Sequence, residues 1–254
     1  MSIKKKVLGF PFKVLRLAGL FILIYASMVF YLAFTERQLA YPRAVVDVEA
    51  RALIDSLVEK KQCILPDGTI LNGWVMGARA DRAILYFPDT EEDAALFLAE
   101  VQPLDEQVIT FNYRGSAGNK GKPSEKTFES DASFILECAT QVHKRPILIG
   151  RGTGAILASQ LAGSKDTLIL IDPTPSIKAS ISEKYRLLYP SFLIRNKTEL
   201  KNLIGLDSSY ILILQDRKYK VSLQEEVSQK FPAIKNISRD GKTLKEALQL
   251  ILFF

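Results

Sequence analysis

Pro146-Ile-Leu-Ile-Gly150-Arg-Gly-Thr-Gly154-Ala155 is the stretch around which the rest of the chain organises itself. Pro146–Ile149 is a short apolar run, the mark of a fully buried strand. Glycines at alternate positions 150, 152 and 154 make a sharp turn, and an Ala/Leu-rich helix follows over Ala155–Ala162. Strand, glycine turn and helix in that order predict one unit of a parallel β-sheet with helices laid against it.

The same alternation extends in both directions. Lys61–Leu65 and Ile70–Val75, joined through Asp67-Gly68, read as a hairpin. Ala83–Phe87 reads as a strand and Glu91–Val101 as a helix. Val108–Asn112 is the next strand, then come a Gly-rich loop and a helix near Thr127–Val142. Beyond the turn, Thr167–Ile171, Tyr210–Leu214 and Ile234–Ile237 are strands, with helices near Leu223–Phe231 and Thr243–Leu252. Ser176–Leu206 breaks the rhythm and fits a lid-like insertion, 176–206, over the carboxyl edge of the sheet, where sites in such folds lie. Ahead of the sheet, a connector spans 35–60. It includes an amphipathic helix over Val45–Val58, with Leu53, Ile54, Leu57 and Val58 on its inner face.

The 254 residues carry a formal charge of +6, and its location decides what it means. Residues 1–43 hold seven Lys or Arg against the single acid Glu36; the other 211 residues hold 27 of each sign. A neutral domain surface argues against nucleic acid as a partner. The basic residues instead flank Leu17–Phe34, which is 18 residues without a charge, about the minimum for a membrane span. The organisation is therefore a basic cytoplasmic tail at 1–16, a transmembrane anchor at 17–34, the connector, and a globular domain at 61–254. The five basic residues before the span place the N-terminus in the cytoplasm and the domain on the other side. A cleaved signal peptide is the rival; the long apolar run and the lack of an A-x-A site favour a retained anchor. With one histidine, His143, and two cysteines, Cys63 and Cys138, a His/Cys metal site is not expected, nor is a cofactor. The cysteines fall on an early strand and a mid-chain helix, and the expectation is buried free thiols. Sequons occur at Asn196 and Asn236.

Several motifs narrow the fold. The turn at 150–154 has the frame of a nucleophile elbow, G-x-S-x-G. Asp67-Gly68-Thr-Ile-Leu-Asn-Gly73-Trp74, Asn112-Tyr113-Arg114-Gly115 leading to Gly121-Lys122-Pro123-Ser124-Glu125, and Ile171-Asp172-Pro173 followed by Ser176 complete the set. Together they resemble the membrane-anchored α/β-hydrolase-domain serine hydrolases of the Bem-type family, over roughly residues 60–254. The resemblance implies an α/β-hydrolase fold, a mostly parallel sheet with helices on both faces, preceded here by one transmembrane helix.

Position by position, the chain departs from the chemistry that resemblance implies. The elbow is Gly150-Arg151-Gly152-Thr153-Gly154, with Gly152 where a serine belongs. The oxyanion loop, His-Gly-Asn in the family, is Pro88-Asp89-Thr90, and a carboxylate at Asp89 would repel a developing oxyanion. The acid position aligns with Tyr219, Asp216 being three residues early. The loop for the base histidine reads Ser238-Arg239-Asp240-Gly241. Thr153 is expected to cap the following helix, Ser116 and Ser124 to shape loops, and His143 to lie at the opposite end of the sheet. Asp89, Arg151 and Tyr219 are expected at the mouth of the former site, either binding a ligand or pairing with one another. A second fingerprint overlaps the first: Gly150-x-Gly152-x-x-Ala155 with Asp172 has the spacing of a dinucleotide-binding βαβ unit. It falls on a late strand, whereas that unit opens its domain. The expectation is thus a catalytically dead α/β-hydrolase-like protein that binds a protein partner or an apolar small ligand. An active esterase or lipase-like hydrolase with a displaced catalytic set, and a dinucleotide-binding protein, are the alternatives.

Overall fold

The computed structural model of the protein describes residues 3–78, 83–102, 104–140, 146–201, 211–215, 221–230, 235–238 and 241–252. A 32-residue helix, α1 (Ile3–Phe34), comes first. Its stretch Phe12–Phe34 is 23 residues of mean hydropathy 2.2, long and apolar enough to cross a membrane. At about 1.5 Å per residue it reaches the roughly 30 Å of a hydrocarbon core. From Phe12 onward most of its described side chains face outward, and among them Met28, Val29, Leu32 and Ala33, near its end, pack against the rest of the protein. Two short helices follow, α2 (Glu36–Ala40) and α3 (Val48–Ile54). The amphipathic helix expected over Val45–Val58 is therefore half that length. Asp47 caps it by accepting from the Ala50 amide at 2.9 Å, and the chain leaves it after Ile54 to enter a strand at Val58. Ala50 and Ile54 face inward, while Leu53 and Leu57 are exposed.

Strands β1 (Val58–Ile64) and β2 (Ile70–Met76) form the expected hairpin, with Gly68 at φ +79° in its turn. The elements then alternate: β3 (Ala83–Phe87), α4 (Ala94–Val101), β4 (Gln107–Phe111), α5 (Glu125–Thr140), β5 (Ile147–Arg151), α6 (Gly154–Leu161), β6 (Leu168–Ile171) and α7 (Ile177–Lys184). Strands β7 (Ile211–Gln215) and β8 (Lys235–Ser238) enclose α8 (Val221–Lys230), and α9 (Leu244–Leu252) follows. The sheet order is β1-β2-β4-β3-β5-β6-β7-β8, antiparallel through β1, β2 and β4 and parallel from β4 across to β8. Alternating side chains feed two cores: Leu85 and Phe87 meet α5 and α6 on one face, and Ile84 and Tyr86 meet α4 and α9 on the other.

The cysteines correct an expectation. Cys63 of β1 and Cys138 of α5 are joined in a disulfide, with Cα atoms 5.9 Å apart. They lie on different elements, as expected, but α5 packs across the edge strand β1 and carries one thiol onto the other. The segment from Ser176 leaves the end of β6, runs as α7 and reaches the loop after β3, where Lys184 pairs with Glu91 at 2.5 Å. It returns through a 3-10 turn at Ser191–Leu193, and Ser176 bridges to Glu199 at its base. Residues 202–206 of the expected lid lie outside the described residues.

Candidate functional site

Parallel pairing of Phe87 with Gly150 sets the loop after β3 beside the turn after β5. The glycines of that turn are required by what surrounds them. A Cβ at Gly150 would lie 2.5 Å from the Ala155 Cα, and one at Gly154 would meet the carbonyls of Phe87 and Pro88. Gly152 has φ +56°, and a Cβ there would sit 2.6 Å from the Asp89 Cγ. The space a nucleophile side chain would occupy at position 152 is filled by the Asp89 carboxylate.

The carboxylate is held by the donors at this corner. Asp89 Oδ1 accepts from the Thr90 amide at 2.7 Å, the Thr153 hydroxyl at 2.6 Å and the Thr153 amide at 3.3 Å. An oxyanion hole in this fold is built from the amide after the nucleophile and an amide of the β3–αA loop. Here Thr153 and Thr90 stand in those places, and both amides face an internal anion. Contrary to expectation, the Thr153 side chain does not cap α6; its hydroxyl is spent on Asp89, and its own backbone is already helical. The amide of Gly152 donates to the Ile171 carbonyl at 2.9 Å, and its carbonyl accepts from the Thr174 amide at 3.0 Å. Pro88, Thr90 and residues 151–154 are all buried. A pyrophosphate at this helix start would face the Asp89 carboxylate, and Asp172, at φ +43°, is buried at the end of β6.

Arg151 is turned to a different set of partners. Its guanidinium, 4% exposed, donates to Glu92 at 2.9 Å and Glu100 at 2.7 Å and lies 5.9 Å from the Phe97 ring centre. Glu92 also accepts from the Tyr86 hydroxyl at 2.9 Å and the Asp89 amide at 3.2 Å. Burial raises the Glu92 carboxyl above its ordinary range, and Arg151 opposes that rise. Tyr113, pushed well above the phenol range by burial, donates to the Pro88 carbonyl at 2.8 Å and braces the loop from below. Arg151 and Asp89 thus do not pair with one another; each is engaged by its own partners. Ser116 accepts from the Ala44 amide, and Ser124 bonds Thr127 at the start of α5, so both shape loops. Asp216, Tyr219, His143, Arg239 and Asp240 lie outside the described residues, and Ser238 ends β8.

A second cluster escaped the sequence reading. Glu36, two residues past the span, is buried and accepts from the Arg195 amide at 2.8 Å, the Asn196 amide at 3.0 Å and the Tyr189 hydroxyl at 2.9 Å. Its signal was available: it is the only acid among the first 43 residues. Asn196 of the first sequon is buried too, donating to the Tyr41 hydroxyl at 2.8 Å.

No protein-family model matches the sequence, and no curated protein matches it. Solved structures do. An alpha-beta hydrolase from Vibrio vulnificus shares 18% identity at a TM-score of 0.66, covering 85% of this chain and 90% of its own. An esterase of Pyrococcus furiosus shares 15% at 0.57, covering 84% and 92%. A bacterial membrane phospholipase A, a virulence factor, shares 12% at 0.55 and covers 99% and 97%, N-terminal helix included. The chain has the α/β-hydrolase fold.

Proposed function

We propose that this is a membrane-anchored α/β-hydrolase-like protein that acts by binding, to a protein partner or an apolar ligand, and not by hydrolysis. One observation carries the reading: the Asp89 carboxylate fills the space above Gly152 and takes the amides of Thr90 and Thr153. An acyl-transfer site needs a nucleophile and free donors aimed at the developing oxyanion. At this elbow the nucleophile position has no side chain, and the donors are taken by the Asp89 carboxylate. The membrane phospholipase with the same layout supports the anchor reading for α1. The Cys63–Cys138 disulfide supports a domain outside the reducing cytoplasm, with the basic N-terminus inside.

The test is chemical. The full chain in detergent is assayed against short acyl esters and a serine-reactive fluorophosphonate, beside Gly152→Ser alone and Asp89→Gly with Gly152→Ser. The expected result is no turnover and no labelling in the parent. Turnover or labelling of the parent overturns the reading, and the labelled residue then identifies a displaced nucleophile. Labelling in the double variant but not in Gly152→Ser would show Asp89 to be the group that closes the elbow.

A further inference from the structure

The most unusual surface of the protein lies away from the elbow. The turn between α7 and Arg195 exposes Leu187 (83%), Phe192 (81%), Leu188 and Leu193 to solvent. These four large apolar side chains fall within seven residues, three of them leucines and one a phenylalanine. The turn is well held from beneath. Tyr189 is buried with its hydroxyl on Glu36, the Arg195 and Asn196 amides share the same carboxylate, and Ile194 is in the core. Its apolar side chains are therefore presented by an anchored backbone.

What lies beside the turn identifies what covers it. Arg195 Nη2 donates to the Ala33 carbonyl at 3.1 Å, one residue before the apolar helix ends. Phe192 is three residues from Arg195, at most about 11 Å of extended chain. The exposed side chains Phe30, Tyr31 and Phe34 occupy the same end of α1. Arg186 and Arg195 of the turn are exposed, as is Arg37 of α2, the helix that packs on α7. Apolar tips flanked by arginine, at the level where a span leaves the bilayer, are the composition of a surface that sits in the headgroup region.

From this geometry we infer a second membrane contact: the turn Tyr185–Arg195 dips Leu187, Leu188, Phe192 and Leu193 into the leaflet from which α1 emerges. The inference rests on the anchor reading of α1. With Glu36 as the rivet between anchor and turn, the domain is held down against the bilayer instead of swinging on a tether.

Depth quenching tests it. The full chain is reconstituted at high dilution into phosphatidylcholine/phosphatidylglycerol vesicles, with and without brominated acyl chains. Three variants are compared with the parent, whose single Trp74 is common to all: Phe192→Trp, Phe30→Trp in the anchor, and Lys165→Trp on an exposed loop at the opposite end of the sheet. All three replace exposed side chains, so the fold is not at stake. The expected result is that the added emission of Phe192→Trp is blue-shifted and quenched by bromine, as is that of Phe30→Trp, while that of Lys165→Trp is neither. Quenching at position 30 without quenching at 192 overturns the inference and leaves the anchor standing; a chemically cross-linked dimer in that sample would show that a second copy covers the patch. Quenching at 192 without quenching at 30 removes the anchor and keeps the contact. Quenching at neither removes both.

Discussion

Asp89 and Glu36 are each a single carboxylate that draws together distant parts of the chain, and they do so to opposite ends. Asp89 bonds Thr153, 64 residues on, and Glu36 bonds Arg195, 159 residues on; both use backbone amides. Around the half-buried Asp89, Pro88, Thr90 and residues 151–154 are buried, and the amides at the corner where this fold usually performs chemistry are turned inward onto it. Around Glu36 the polar groups are equally well satisfied, but the turn they secure carries bare leucine and phenylalanine. A satisfied polar cluster has no reason to take up a ligand; a rigid apolar surface in water does. On the reading proposed above, the contrast moves the working part of the molecule from the sheet edge to the face beside α1.

The comparison breaks most visibly at Arg151. Replacing it with Ala strands Glu92 in the core, and removing one member of a buried ion pair costs about 3–5 kcal/mol. Burial already shifts the Glu92 carboxyl upward, and without Arg151 to oppose it that shift grows. Acid should therefore relieve part of the loss: the variant's deficit, read by urea unfolding in detergent, is larger at pH 8 than at pH 5. An equal deficit at both values would mean that Arg151 acts through packing on Phe97 and not through charge.

Glu36→Ala tests the other side with a smaller and more local effect. Two amides and a phenol each lose an acceptor worth about 1.5–3 kcal/mol, of which water reaching the turn beside the exposed Arg195 recovers the larger part. The loss should fall on the turn: amide exchange at Arg195 and Asn196 speeds up roughly ten- to hundred-fold, since each 1.4 kcal/mol is a factor of ten. Global melting should move less than in Arg151→Ala. Exchange that rises equally across β3 and β5 would mean that the turn and the sheet unfold as one unit.

These two clusters also mark how far the sequence could be read. Apolar runs and glycine punctuation made β3, β4, β5 and β6 legible to within a residue or two, because buried parallel strands leave no other pattern. Helix α3 was misjudged because its inner face is Ala50 and Ile54, and a small alanine carries little periodic signal. The disulfide depends on α5 crossing β1, a tertiary fact with no local trace. The elbow glycines were visible, and so was the misplaced acid in the loop after β3. Their meeting was not, since only the β3–β5 register brings Asp89 over Gly152.

The finest probe of the comparison is alkaline titration of Tyr189. Burial first, and the Glu36 carboxylate second, hold its phenol to about 12, against an ordinary value of 10.0. The folded state thus keeps a proton that the unfolded state gives up. The sign follows: this contribution is whole below pH 10, declines as pH climbs and is lost through about 12. Raising the pH from 9 to 12 should loosen the turn, seen as faster cleavage within Tyr185–Arg195 by an alkaline-stable subtilisin-type protease, normalised to an unstructured peptide at each pH, before near-UV circular dichroism of the sheet changes. In Tyr189→Phe, which keeps the ring and removes the titrating group, the early step should vanish. If it persists, deprotonation elsewhere opens the turn, and the bond between Tyr189 and Glu36 is not what ties it to the anchor.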